Sequence, residues 1–219
     1  MFLLYLTYIV PGSILIPLIV FAVRYPYTGV AERLIGLYLV VSSLINLAAL
    51  FLSTHNSSNL WLLHIYTAAE AVLLLLFFRR ILTSKTLRRL VAVLVVLFPM
   101  ACLLNAIYFQ SASLFNTYTR PVEALFCIGL CAAYWLEDDG HKDTRWAANS
   151  LNWIVTAILI YFASSFLLFL FSNALLKASA TSGNGRLLDL LWGTHATLVL
   201  VMYLLIAIGF RNCKMPQYG

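Results

Sequence analysis

Charge is what this sequence has least of. Eight acidic and fourteen basic residues stand among 219 positions, so only 10% of the chain is charged while 63% is hydrophobic. Soluble globular domains carry about 25% charged and about 45–50% apolar residues. With a mean hydropathy of +0.92, most of this chain is expected inside lipid. Polar stretches are also scarce, the longest lying near residues 137–146. That leaves no room for a kinase, nucleotide-binding or DNA-binding module. The net charge of +6 sits at the edges of apolar runs, where basic residues set topology, so nucleic acid is not expected as a partner.

Cysteine is rare too. Cys102, Cys127 and Cys131 fall in apolar runs, which argues against a disulfide framework, and Cys213 follows the last run. The first residues lack the basic start of a cleavable signal peptide, so the first apolar run reads as a retained span.

What the chain has instead is long apolar runs. A helical span needs about 20 mainly apolar residues, and seven fit: residues 2–23, 34–53, 60–78, 90–109, 118–136, 148–172 and 188–210. All are expected to be helices, because an open strand in lipid leaves backbone groups unpaired. The predicted fold is therefore all-α, a single seven-helix transmembrane domain over 1–219. Eleven of the fourteen Lys and Arg residues fall on one side of these spans; the other side holds Arg120, Lys177 and Arg186. The positive-inside rule then predicts an outer N-terminus and a cytoplasmic C-terminus. The Glu137-Asp138-Asp139 cluster does not alter this, since acidic residues weigh little in the rule. Asn56-Ser57-Ser58 is formally a glycosylation sequon, with meaning only in a secretory pathway.

Two short runs read alike, Leu60-Trp61-Leu62-Leu63-His64 and Leu191-Trp192-Gly193-Thr194-His195. They pair span 3 with span 7, and Ser42-Ser43 then corresponds to Ser164-Ser165. One reading is a parallel three-one-three repeat, 1–89 and 110–219, with span 4 as linker. A rival pairing sets Tyr66-Thr67-Ala68-Ala69-Glu70-Ala71 against Tyr118 to Ala124 with a one-residue gap. The three-one-three layout resembles the sugar facilitators called SWEETs and the KDEL receptor, although no span carries their Pro-Gln signature. Asn59 to Thr67 followed by Glu70 resembles the third-span pattern of a group of bacterial seven-helix membrane proteins. That resemblance covers one span, implies a bacterial inner-membrane setting, and brings no activity.

Polar groups cluster at one depth. At about 1.5 Å per residue, His64 lies about 6 Å into span 3 and Glu70 about 15 Å, near the midplane. His195 lies about 12 Å into span 7. Arg120 and Glu123 occupy the outer part of span 5, Asn46 and Asn105 the outer halves of spans 2 and 4, and Asp189 the outer mouth. Trp61, Tyr66, Tyr118 and Trp192 supply aromatic walls. Arg120, Glu123, Ala124, Cys127, Cys131 and Tyr134 fall on one stripe of span 5, the mark of an interface or cavity wall. A midplane carboxylate such as Glu70 must be protonated, paired or hydrated, which makes it a functional-site candidate.

Three functions fit this pattern. The first is a cavity open to the outside, in which His64, Glu70, Arg120, Glu123, His195, Asn46, Tyr66 and Trp192 bind a small polar ligand. The protein is then a receptor-like sensor or a facilitator without a cofactor. As a sensor it needs a cytoplasmic or membrane protein partner at residues 79–89 or 137–145. The second is zinc chemistry on His64, His195, Glu70 and Asp189, with metal-bound water attacking a lipid amide or ester. Alkaline ceramidases and adiponectin-receptor-like proteins do this on seven helices, but their H-x3-H is absent here, His195 being followed by Ala196-Thr197-Leu198-Val199. The third is an accessory subunit in which the polar groups only lock helices together. Retinal binding is excluded, because span 7 carries no Lys for a Schiff base.

Overall fold

The computed structural model describes residues 4–55, 57–137, 146–182 and 185–214. Asn56 of the sequon, Asp138, Asp139, Lys142 and Arg145 lie outside these described residues. Within them the chain is all helical, with no strand. Seven long helices follow one another: α1 (Tyr5–Tyr27), α2 (Val30–Thr54), α3 (Trp61–Ile81), α4 (Lys85–Phe109), α5 (Thr119–Leu136), α6 (Ser150–Ser182) and α7 (Arg186–Arg211). Six of them, all but α5, are long and apolar enough to cross a membrane. The chain is an integral membrane protein. α5 is the shortest at 18 residues and carries Arg120 and Glu123. Its polarity faces inward: Glu123, Ala124, Cys127 and Cys131 are all buried.

Local sequence explains the helix ends. The Glu32 side chain accepts from the Gly29 N–H at 3.1 Å and so caps α2, while its other oxygen accepts from Ser150 Oγ at 2.7 Å. Ser84 caps α4 by accepting from Leu87 N. Asn116 Oδ1 accepts from both Thr119 N (3.2 Å) and Thr119 Oγ1 (2.8 Å), satisfying donors that the first turn of α5 leaves free. α1 is irregular. Its first turn, Tyr5–Ile9, is a π-helix, and Pro11 brings no N–H to the ladder. Regular α-helix resumes only at Leu15–Arg24. α6 runs ten residues past the expected end at 172, and Asn173 in the added stretch donates to Phe115 O of the neighbouring loop at 2.9 Å.

The helices divide the molecule into two unlike halves. Toward the end bearing Arg24, the bundle is solid. Ile35, Leu39, Phe77, Phe78, Ile154, Ile158, Ile206 and Phe210 are essentially inaccessible there. Phe21 of α1 lies over Gly36 of α2, and Gly209 lets α7 approach the backbone of α6 at Ser150; neither site has room for a Cβ. Arg24 ties the end of α1 to the carbonyl of Cys213 just past α7 at 2.6 Å. Arg33, Arg79, Arg80, Lys85, Arg88, Arg89, Arg211 and Lys214 belong to this same end. Arg120, counted in sequence with the opposite loops, instead lies inside the bundle with 11% of its side chain exposed.

Toward the other end, near Asn59 and Phe115, the helices separate. α1, α2, α3, α5, α6 and α7 surround an open space, while α4 packs outside them against α3.

Candidate functional site

A cavity of about 500 Å³ fills the half of the bundle toward Asn59. Its size is within the range of small-molecule sites, about 300–1,000 Å³. Apolar side chains such as Val10, Leu63, Val199 and Met202 form most of its wall, and polar groups gather on one side: Tyr38, Tyr66, Arg120, Tyr161 and His195.

Arg120 organises that polar side. Its Nη1 donates to Glu70 Oε2 and, at 2.9 Å, to Glu123 Oε2. Nη2 donates to the Tyr161 hydroxyl at 3.1 Å. The remaining oxygen of Glu70 accepts from the hydroxyls of Tyr38 and Tyr66, each at 3.0 Å. Ser42 extends the chain to Tyr66 at 3.1 Å. One network thus ties α2, α3, α5 and α6 around two carboxylates and one guanidinium. Both carboxylates are 1% exposed. Burying such charges costs several kcal/mol per ion, about, unless each is paired and hydrogen-bonded. Glu70 meets that condition fully, whereas Glu123 Oε1 has no partner among the described residues. Aromatic faces cover the guanidinium, with Phe169 at 4.7 Å and Tyr66 at 5.2 Å from its carbon, a favourable electrostatic arrangement.

His195 projects from α7 beside Tyr161 and Phe169 of α6. Its Nδ1 pairs with Ser165 Oγ at 2.8 Å, and the rings of Tyr161, Phe169 and Trp192 surround it at 5.5–5.8 Å. Trp192 also packs on Phe115 of the 110–118 loop at 5.4 Å. Amide side chains hold that loop in place. Gln110 donates to Phe115 O and Thr117 Oγ1, both at 2.8 Å, and Asn116 donates to Thr67 Oγ1 at 3.1 Å.

The sequence-derived candidates separate into three groups. Asn46, Tyr66, Arg120, Trp192 and His195 line the cavity. Glu70 and Glu123 stand behind Arg120 rather than in the wall. His64 is buried elsewhere: its Nε2 donates to the Leu114 carbonyl at 3.2 Å, and it is not part of the cavity wall. The two L-W-x-x-H histidines therefore occupy different surroundings. Tyr38, Tyr161, Tyr203 and Asn116 were absent from the sequence-derived set. Their only signal was helical spacing, Tyr38 lying one turn before Ser42 and Tyr161 one turn before Ser165.

The zinc set does not assemble. His64 bonds a backbone carbonyl, Glu70 is taken by Arg120, His195 turns to Ser165, and Asp189 is exposed near the start of α7. Among the described residues, no three His, Cys, Asp or Glu side chains come together as metal ligands. Of the four residues of that set, only Glu70 pairs with Arg120, and that cation takes up its charge. No protein-family model, no curated protein and no solved structure matches this chain.

Proposed function

We propose that this protein binds a small polar ligand in an intramembrane cavity open to the outside, acting as a receptor-like sensor or a facilitator in a bacterial inner membrane. The observation that carries the reading is the position of Arg120. It is held by two buried carboxylates at the wall of a cavity, beside the hydroxyls of Tyr66 and Tyr161. A guanidinium has five N–H donors, and three are engaged with Glu70, Glu123 and Tyr161. Two are left for a ligand. Asn46, Tyr66 and His195 supply further donors and acceptors around the same space.

The outward direction rests on the basic residues at the Arg24 end, which the positive-inside rule sets in the cytoplasm. The N-terminus is then outside. A sensor of this shape passes its signal to a partner on the cytoplasmic side, at residues 79–89.

A Val199→Cys substitution tests this reading, because Val199 belongs to the cavity wall on α7 while the four natural cysteines are buried. A membrane-impermeant cationic thiol reagent added to right-side-out vesicles should modify Val199→Cys. It should leave Ile208→Cys, on the lipid-exposed part of α7, unreacted. Modification of Val199→Cys only from the cytoplasmic side would overturn the outward cavity.

The accessory-subunit reading has one observation in its favour. The Glu70–Arg120–Glu123 network satisfies most of its own charge within the protein, as a helix lock would.

A further inference from the structure

The cavity wall is incomplete between α1 and α2. Leu6 and Val10 of α1 and Ile45, Asn46 and Ala49 of α2 all border the cavity. Yet the halves of these two helices toward Asn59 pack little on each other. Every buried residue of α2 lies at or before Ser42, and the first turn of α1, Tyr5–Ile9, buries none. In that turn Tyr5 is hydrogen-bonded to Thr197 of α7 at 2.9 Å. Asn46 is exposed on this seam at membrane depth, where its side chain pairs with Tyr203 of α7 rather than with any group of α1.

The charge on the polar side of the cavity limits what can enter. Arg120 is opposed by Glu70 and Glu123. An anionic head would bring a third negative charge to one guanidinium, and a cationic head would face that guanidinium directly. The other titratable cavity groups are His195 and the tyrosines Tyr38, Tyr66, Tyr161 and Tyr203, which donate and accept hydrogen bonds without adding a fixed charge. An uncharged head with hydroxyl or carbonyl groups matches two free guanidinium donors and these partners. The apolar walls, which a wholly polar solute would leave unused, match a hydrocarbon chain.

We propose that the α1–α2 seam is a lateral portal, through which the cavity takes an uncharged, single-chain amphiphile from the lipid. Its head sits against Arg120, Tyr66 and His195, and its chain passes between Val10 and Ala49. This rests on the ligand-cavity reading above, keeps its polar group at Arg120 and adds a hydrocarbon chain to the ligand.

The test uses the full chain in phospholipid nanodiscs and three probes with the same diazirine-bearing chain: a monoacylglycerol, a fatty acid at alkaline pH, and an alkyltrimethylammonium. Photoadducts are mapped by peptide mass spectrometry. The monoacylglycerol probe should label peptides containing residues 6–10 and 45–49 saturably, and excess unlabelled monoacylglycerol should remove the adducts. Ala49→Trp, which fills the seam away from the polar groups, should weaken this labelling about tenfold, roughly one decade of affinity. Leu47→Trp, on the lipid-exposed face of the same helix, should leave it unchanged. Leu6→Trp gives a second block from the opposite wall should Ala49→Trp fail to fold. Saturable labelling by the charged probes alone would overturn the uncharged head. Unsaturable labelling by all three, with Val199→Cys still reactive from outside, would overturn the portal and leave the cavity standing. Loss of both results would overturn the two readings together.

Discussion

Tyr38 of α2 donates its hydroxyl to Oε1 of Glu70 on α3 across 3.0 Å, reaching the same oxygen that Tyr66 reaches from one turn earlier on α3. With Glu70 Oε2 held by Arg120, both oxygens of this carboxylate are partnered. Burial at membrane depth demands that arrangement, since a carboxylate at the helix centre is penalised by roughly 2.5–3.5 kcal/mol on insertion scales.

The network predicts a graded response at Glu70. Glu70→Gln keeps an acceptor for Tyr38 and Tyr66 and should lower stability slightly. Glu70→Leu strands two buried hydroxyls and should cost about 1–3 kcal/mol more. Thermal unfolding of the purified variants in one detergent checks this. Equal stabilities for the Gln and Leu variants would contradict the hydrogen bonds described.

Arg120→Leu should be more damaging still, at about 3–5 kcal/mol, because it leaves two buried carboxylates facing each other without a cation. Adding Glu70→Gln and Glu123→Gln to it should restore much of the loss. Measuring unfolding of the single and triple variants separates the two cases, and a triple variant no better than Arg120→Leu would show that the charges were not the cause.

Glu137, just past α5, predicts a pH dependence. Partial burial works against its ionisation, but bonds from Thr83 N (2.7 Å), Thr83 Oγ1 (2.9 Å) and Ser84 N (3.0 Å) outweigh that and hold its carboxyl below the usual value of 4.5. A depressed folded-state value stabilises the protein above pH 4.5 and stops doing so as pH falls through the lower value. The gap in melting temperature between the natural protein and Glu137→Gln should therefore be constant from neutral pH down to about 5 and close in more acid buffer. The gap corresponds to about 0.3–1 kcal/mol, the range for an anion at a helix N-terminus. A gap that widens on acidification would contradict the assignment.

Orientation has its own check. A cysteine placed at exposed Ser58 should react with an impermeant reagent on intact cells, and one at exposed Lys85 only after permeabilisation. The reverse pattern would turn the cavity toward the cytoplasm.

Much of this architecture was legible in the sequence because lipid imposes simple rules. Seven apolar runs gave seven helices, with ends shifted by up to ten residues. The stripe from Arg120 to Cys131 faces inward, as small and polar residues on one helix face imply. Glu70 and Arg120 meet because a buried carboxylate at this depth needs an opposite charge beside it. What was not legible depended on uncharged groups and on backbone detail. Tyr38 and Tyr161 look like ordinary aromatic residues in apolar helices, and nothing in their neighbours shows that the first reaches Glu70 and the second Arg120. His64 and His195 share a motif, yet a backbone carbonyl of the 110–118 loop captures the first and leaves the second at the cavity. The loop conformation is set by two of its own amides, Gln110 and Asn116, and by Asn173 of α6, 58 residues beyond Phe115.

The most direct test of the outward cavity is an experimental structure of the protein in nanodiscs, bound to a rigid antibody fragment on its cytoplasmic face. The account predicts an open space between α1, α2 and α7 with ordered density within hydrogen-bonding distance of Arg120, Tyr66 and His195. A bundle closed in that half, with α1 packed against α2 and Arg120 sealed from any solvent or ligand, would contradict it.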